Sequence, residues 1–314
     1  MSDRPQVTIA VPVKDRRERM LRCLDALLAQ DHPDYEVLIL DNCSTDGTAE
    51  ACRERAAGSE VPVRVEVLDG SVGHLRNRAA ELGRGEFIAY TDSDCMPDPH
   101  WIAKGVRPFA DPAVGMVQGM TLPEEDPPRM GWPAWIKVTE YSGRFESCNM
   151  LFRREAFAAS NGFDERIGHF WEDTAAGFAM LRDGWTCAFE PEALVTHDVT
   201  YPGYVWHLKR AQKNQNLGPI VETYPEIRRE LLYYRIFMRE RNARFFFFLL
   251  GLALALRWRW AVLLAAPYVE VRLDPYVNAP HEREWKPLPQ ALIYDGAVLL
   301  GLLRGAWRSG RLVL

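Results

Sequence analysis

The chain has 314 residues, 47% of them hydrophobic and 26% charged, with a formal net charge of -5. That length holds one large α/β domain with an appendage or two modest domains, and the composition excludes extensive disorder. The acidic balance gives none of the basic surface that nucleic-acid binding demands.

Cys23, Cys43, Cys52, Cys95, Cys148 and Cys187 form no C-x-x-C pair, which argues against a zinc knuckle or a thioredoxin-like centre. The opening residues, Met1 to Gln6, carry no signal-peptide pattern. A cytoplasmic protein with free thiols is the expectation.

Val7 to Val13 (VTIAVPV) is a β-branched run that suits a buried strand. Arg17 to Gln30 places Met20, Leu21, Leu24, Leu27 and Leu28 at helical spacing. Glu36 to Leu40 is a second buried strand and ends on the turn-rich Asp41-Asn42-Cys43-Ser44-Thr45-Asp46-Gly47. Val63 to Leu68 is a third strand, Leu75 to Leu82 a helix closed by Gly83 and Gly85, and Phe87 to Tyr90 a fourth strand. Alternating strands and helices predict an α/β fold with a mostly parallel sheet and helices on both faces. Ligands of such sheets sit beyond the carboxyl ends of the strands. Asp15, Asp41, Asp92 and Asp94 all fall at or just after such ends. One such aspartate reads as a turn former or helix cap; four in register point to a site.

Met120 to Glu146 has no clean period and reads as a long surface excursion. Regular pattern returns with Met150 to Phe152, a helix over Arg154 to Ser160, and a helix from Asp173 to Gly184. Trp185 to Phe189 and Ala193 to Thr196 suit short strands. Tyr204 to Asn216 and Glu226 to Asn242 read as basic helices. Phe245 to Leu256 and Ala261 to Val269 are apolar, Val271 to Gln290 reads as a linker or strap, and Ala291 to Trp307 is a further apolar helix.

Asp92 and Asp94 are two apart at the end of an extended run, so they share a direction. Paired hard oxygen donors suit Mg²⁺ or Mn²⁺ beside a pyrophosphate. Asp-x-Asp alone is common by chance, and its position after a hydrophobic strand strengthens it. Several further segments accompany it in order: VTIAVPV running into Lys14-Asp15-Arg16, LDNCSTDGT, Gly73-His74-Leu75-Arg76-Asn77, TDSDCMPDPHWI, and CNMLFRREAF through GHFWEDTAAGF. Together they resemble family 2 glycosyltransferases, inverting enzymes with the GT-A fold, over roughly residues 7 to 200.

The resemblance implies a nucleotide-diphospho-sugar donor, with a UDP-sugar favoured and GDP- or dTDP-sugars as alternatives, and a hydroxyl acceptor. By position it implies that Asp41 meets the base edge and that Pro12, Val13 and Asp15 lie along base and ribose. Arg76 would lie near the diphosphate or its supporting shell. Asp92 and Ser93 would belong to the nucleotide-sugar site, with Asp94 on the metal. Asp173 would be the general base. His197 would be a third metal ligand or else a polar loop residue. Asn149, Arg153, Trp171 and Glu172 would serve the acceptor side, Trp171 as a ring for sugar stacking, with loop support as the alternative role of Asn149 and Arg153. Asp173 also suits a helix N-cap, a role compatible with catalysis. The expected catalytic domain covers 1–203, with a nucleotide-sugar half (1–100) and an acceptor half (101–203), followed by a helical region over 204–314.

No G-x-G-x-x-G follows the first strand and no P-loop occurs, which disfavours dinucleotide and P-loop enzymes. The motif Gln-x-x-Arg-Trp of processive synthases is missing, which favours single transfers. A sugar nucleotidyltransferase would carry a glycine-rich first loop, and Val11 to Arg17 has no glycine. A non-catalytic scaffold would need neither Asp94 nor Asp173. Phe245 to Leu256 is too short to span an apolar core of about 30 Å. Extension through Val269 would place Arg257 and Arg259 mid-span. The Trp-Arg alternation there suits anchoring at a membrane surface on the cytoplasmic side, and hence a lipid-linked acceptor. Packing on the catalytic core, or a homodimer face, is the alternative.

Overall fold

The computed structural model describes residues 6–126, 132–273 and 288–314. Most of the expected linker (274–287), part of the Met120–Glu146 excursion (127–131) and the first five residues lie outside them. The chain divides into two compact units, Met1–Glu125 with Trp135–Val199, and Asp126–Ala134 with Thr200–Leu314.

The first unit begins with three βα repeats: β1 (Val7–Val13), α1 (Arg17–Leu28), β2 (Tyr35–Asp41), α2 (Thr48–Ala56), β3 (Val63–Val67) and α3 (Val72–Leu82). It continues through β4 (Phe87–Thr91), β5 (Cys95–Pro97), α4 (Trp101–Gly105), β6 (Val114–Pro123), β7 (Asn149–Arg153), α5 (Arg154–Ala159), α6 (Glu172–Arg182) and β8 (Thr186–His197). The eight strands form one sheet in the order β3-β2-β1-β4-β7-β6-β8-β5. β1 runs parallel to both β2 and β4, and β2 to β3, as the βα repeats require. β7 is antiparallel to β4 and β6, and β5 to β8, so the sheet is mixed beyond β4. β1 and β2 are buried almost throughout because helices cover both faces. Val7, Ile9, Val11, Leu24, Leu27, Val37 and Ile39 share one apolar core.

Several elements differ from expectation. The excursion begins later, because β6 continues to Pro123 with Gln118 and Thr121 buried inside the sheet. The short strands expected at Trp185 to Phe189 and Ala193 to Thr196 are a single strand, β8, whose pairing with β6 shifts register twice. α3 starts earlier, since the Ser71 side chain accepts from His74 N and caps it.

Two acceptor-side expectations are corrected here. Asn149 is buried and its amide is fully committed: Trp101 Nε1 donates to its Oδ1 at 2.8 Å, and its Nδ2 donates to the carbonyls of Met120 (2.8 Å) and Ala193 (2.9 Å). It ties β7 to β6 and β8. Arg153 pairs with Phe87 at the far end of β7, the sheet edge opposite Asp92. Its guanidinium donates to the Phe109 and Val114 carbonyls and lies over Phe87 and Phe109.

The second unit holds α7 (Tyr204–Gln212), α8 (Leu217–Thr223), α9 (Ile227–Glu230), α10 (Glu240–Ala255), α11 (Ala266–Leu273) and α12 (Leu288–Ser309). The helix expected over Glu226 to Asn242 is interrupted: Tyr234 and Arg235 adopt positive φ, and Tyr233 pairs with Phe237 in a tight turn. α12 packs on α7 and α8 through small residues. A Cβ at Gly305 would lie 2.4 Å from the Gln215 carbonyl oxygen. Asp295 on α12 is buried, accepting from Tyr268 at 2.7 Å and pairing with Arg241 and Arg272.

The Asn149 network has a direct consequence. Asn149→Ala leaves the Trp101 N–H and two strand carbonyls buried without partners. The expected loss is about 3 kcal/mol of stability, read from denaturant unfolding, since each unmet buried group costs about 1–3 kcal/mol.

Candidate active site

β1, β2 and β4 all end at one edge of the sheet, where Val13 pairs with Asp41 and Asp41 with Val67. Loops leaving that edge are tied together. Asp15, at φ 49°, accepts from Thr45 N at 2.7 Å, and its own N–H donates to Ser44 Oγ at 2.8 Å. Asn42 exchanges hydrogen bonds with Gly70, linking the turns after β2 and β3. Pro12 and Val13 close β1 beside them. Asp41 is buried; its Oδ1 accepts from Ser44 N at 2.7 Å, while its Oδ2 has no hydrogen-bond partner among the described residues. An unpaired buried carboxylate oxygen at this edge is suited to a donor on a ligand.

Arg76, on α3, is almost completely buried. Its Nη2 donates to Asp92 at 3.1 Å and its Nη1 to Glu172 at 3.0 Å. The Phe163 ring lies against the guanidinium, and the Arg76 carbonyl accepts from Tyr90 Oη at 2.8 Å. Burial opposes the charge, but Asp92, Glu172 and Asp173 outweigh it and hold the guanidinium ionised. Glu172 also accepts from Phe170 N at 2.5 Å. Both oxygens of this buried carboxylate are therefore taken by the protein, which corrects its expected acceptor contact: Glu172 positions the start of α6.

Phe170 and Trp171 precede α6 at φ 95° and 77°, a backbone region that non-glycine residues rarely adopt. Trp171 is only 9% exposed and packs edge-on to Phe170. That leaves little open ring face for sugar stacking, again contrary to expectation. These constraints deliver Asp173 beside the loop before β7: Thr174 N donates to its Oδ1 at 2.8 Å and Ser147 N approaches its Oδ2 at 3.4 Å. Thr174 Oγ1 donates to the Arg144 carbonyl, and Gln118, Ser142 and Glu146 bond one another behind it. Gly177 lets the Phe145 ring lie on α6; a Cβ there would come within 2.1 Å of it. Desolvation, then the Glu172 and Glu146 charges, push the Asp173 carboxyl well above the ordinary carboxylate range despite Arg76.

Asp94 and His197 meet across the paired β5 and β8, their Oδ1 and Nε2 3.9 Å apart. His197 Nδ1 lies 2.7 Å from the Asp198 carbonyl, which only accepts, so the proton is assigned to Nδ1. In neutral imidazole Nε2 then turns a lone pair toward a carboxylate, an arrangement that fits a cation shared by both. Asp94, Cys95 and His197 bring donor atoms within 4.8 Å of one another. Burial raises the Cys95 thiol well above its usual range, and a neutral thiol is a poor donor to Mn²⁺ or Mg²⁺. Carboxylate and imidazole therefore form the donor set that fits. For Asp94, burial pushes the carboxyl up, but Arg16 and His197 outweigh it and its pKa falls below the ordinary value. Ser93 is buried between the two aspartates.

Sequence reasoning passed over Arg16, whose Nη1 donates to Asp94 Oδ2 at 2.5 Å. It also passed over Arg19 and Arg22, which hold the buried Asp198. The basic run after β1 was the available signal, but a run of charge at a helix start reads as solvated surface.

Arg76→Met strands two carboxylates in a largely buried setting. Its expected cost is about 3–5 kcal/mol, the usual penalty for breaking a buried pair. Urea titration of variant and parent protein measures it, and a loss below 1 kcal/mol would contradict the bridging role.

Comparison with known proteins places these features in context. Glycosyltransferase AglE of Haloferax volcanii is 33% identical over 118 residues, 37% of this chain and 39% of that protein. The chain therefore spans well under half the length of that relative. A mannosyltransferase from Pyrobaculum calidifontis, solved in complex with GDP-Man and Mn²⁺, superposes with a TM-score of 0.62 at 19% identity. That match covers 98% of this chain and 88% of the other. Staphylococcus aureus TarS 1-349 in complex with UDP-GlcNAc gives 0.52 at 15% identity, covering 98% and 92%. These likenesses agree with the expected GT-A fold. The family description Glycosyl transferase family 2 matches residues 8–171, more than half of the chain, from β1 to the residue before α6. The chain belongs to glycosyl transferase family 2.

Proposed function

We propose that this chain is an inverting, non-processive glycosyltransferase that moves one sugar from a nucleotide-diphospho-sugar to an acceptor hydroxyl with the help of a divalent metal. The observation that carries the reading is Asp173: a carboxyl held at a helix start, raised in pKa, and tied through Glu172 and Arg76 to Asp92. A scaffold has no use for a carboxyl raised above the ordinary carboxylate range; a general base does.

In this reading residues 1–100 bind the donor and 101–203 the acceptor. The free Asp41 Oδ2 accepts an N–H from the base edge, with Pro12, Val13 and Asp15 along base and ribose. Uracil and guanine both offer a ring N–H, consistent with UDP- or GDP-sugars. The solved neighbours bound to UDP-GlcNAc and to GDP-Man support that range. Asp94 and His197 would hold Mn²⁺ or Mg²⁺, which would neutralise charge on the leaving diphosphate. Asp92 and Ser93 line the approach to that group. Asp173 takes the acceptor proton as the hydroxyl oxygen attacks the anomeric carbon. The nucleotide diphosphate leaves from the opposite face, inverting the centre. Arg76 acts behind Asp92 rather than on the diphosphate.

The second unit supports placement at a membrane surface. Among the described residues no helix is long and apolar enough to cross a membrane. Yet Leu256 is 93%, Trp258 61%, Trp260 69% and Leu263 64% exposed, interleaved with exposed Arg257 and Arg259. Aromatic and basic groups so mixed suit the headgroup level of a bilayer, where a lipid-linked acceptor is presented.

Asp173→Asn should lower kcat by roughly 100- to 10,000-fold, the usual contribution of a general base, while leaving nucleotide affinity nearly unchanged. Surviving transfer would remove the base assignment. Because the base acts deprotonated and its pKa is raised, kcat should fall as pH drops through a value above the ordinary carboxylate range. An acid limb near pH 4, measured from initial rates, would contradict this. Sedimentation with anionic liposomes tests the surface: Trp258→Ser with Trp260→Ser should release the protein, and absence of binding by the parent chain removes the membrane reading.

A further inference from the structure

Arg16 stands where a cation-dependent site would be neutralised by metal. Its guanidinium donates to Asp94 Oδ2 at 2.5 Å, while Asp94 Oδ1 faces His197 Nε2 at 3.9 Å. The partners differ in freedom: the Asp94 side chain is 10% exposed and the Arg16 side chain 42%. The backbone on both sides of Arg16 is anchored. Asp15 N donates to Ser44 Oγ at 2.8 Å, and Arg17 N donates to Asp46 Oδ2 at 3.0 Å. The long side chain can therefore swing while the loop stays in place. Its neighbours Arg19 and Arg22 are differently placed, since both already pair with Asp198, and Arg22 also with Glu124.

A guanidinium on Asp94 and a divalent cation on the same carboxylate repel each other, so metal alone must displace Arg16 without recompense. A diphosphate changes that balance. It offers a flexible arginine a two-pronged anionic partner at the strand edge that carries Asp41. We infer that Arg16 is an exchange cation: it neutralises Asp94 until metal and donor arrive, then moves its guanidinium to the donor's diphosphate. Metal and nucleotide then bind with positive coupling, each strengthening the other, as linkage requires. The inference rests on the proposed metal role of Asp94 and His197.

The test is Mn²⁺ binding, followed by electron paramagnetic resonance, with and without UDP or GDP. The parent chain should bind Mn²⁺ weakly alone and more tightly with the nucleotide that it accepts. Arg16→Gln should bind Mn²⁺ alone about tenfold tighter, within the usual range of coupling between sites, and gain much less from nucleotide. Unchanged or weaker Mn²⁺ binding by Arg16→Gln alone overturns the exchange. Arg16→Lys keeps the charge but loses the fork, so its affinity for Mn²⁺ alone should stay near the parent value while the nucleotide gain falls. Full retention of that gain also overturns the inference. Asp94→Asn separates the two levels. If it binds Mn²⁺ as the parent does, the metal assignment itself fails and the exchange falls with it. If Asp94→Asn loses Mn²⁺ while Arg16→Gln changes nothing, only the exchange fails.

Discussion

The site depends on one buried cation. Arg76 sits between Asp92, just after β4, and Glu172, at the start of α6. Neither carboxylate is sequence neighbour to the other, and a guanidinium with little exposure has few other means of being satisfied. Breaking such a pair is costly because the partner charges stay buried. The arginine therefore sets the spacing between the Asp92-Ser93-Asp94 turn and the helix that carries Asp173. Phe163 and Tyr90 hold it from behind, through its ring contact and the Arg76 carbonyl.

The same arrangement divides two adjacent acidic residues by role. Glu172 is neutralised by Arg76 and by the Phe170 amide. Asp173, one residue on, accepts from the Thr174 and Ser147 amides and feels its neighbour's negative charge. The loop before β7 then packs on α6 through Phe145, at a helix position that only Gly177 leaves open.

In the second unit, polar anchoring and apolar exposure coexist. Asp295 draws Arg241, Arg272 and Tyr268 inward and ties α10, α11 and α12 together. Between α10 and α11, Leu256, Trp258 and Trp260 face outward. An apolar run that is hydrophobic all round would normally be buried; here it is exposed beside arginines.

The βα repeats of the first hundred residues were legible because buried parallel strands are short, continuous and β-branched, as VTIAVPV and EVLIL are. The carboxylates at the strand ends were legible for the same reason: where strands end, so does the sheet edge. The pairing of β6 with β8, the interrupted α9 region and the inward commitment of Asn149 and Glu172 were not. A sequence states which groups can make hydrogen bonds, not which partners reach them. Asn149 looks like a ligand residue until the Trp101 N–H and two carbonyls occupy it, and Arg16 looks like surface charge until Asp94 is found beside it. By itself, then, the sequence determined the βα repeats of the first hundred residues and the strand ends at which the four aspartates lie. Tertiary structure alone decided which carboxylates are already neutralised by arginine and which remain for a ligand, because that depends on contacts between residues far apart in the chain.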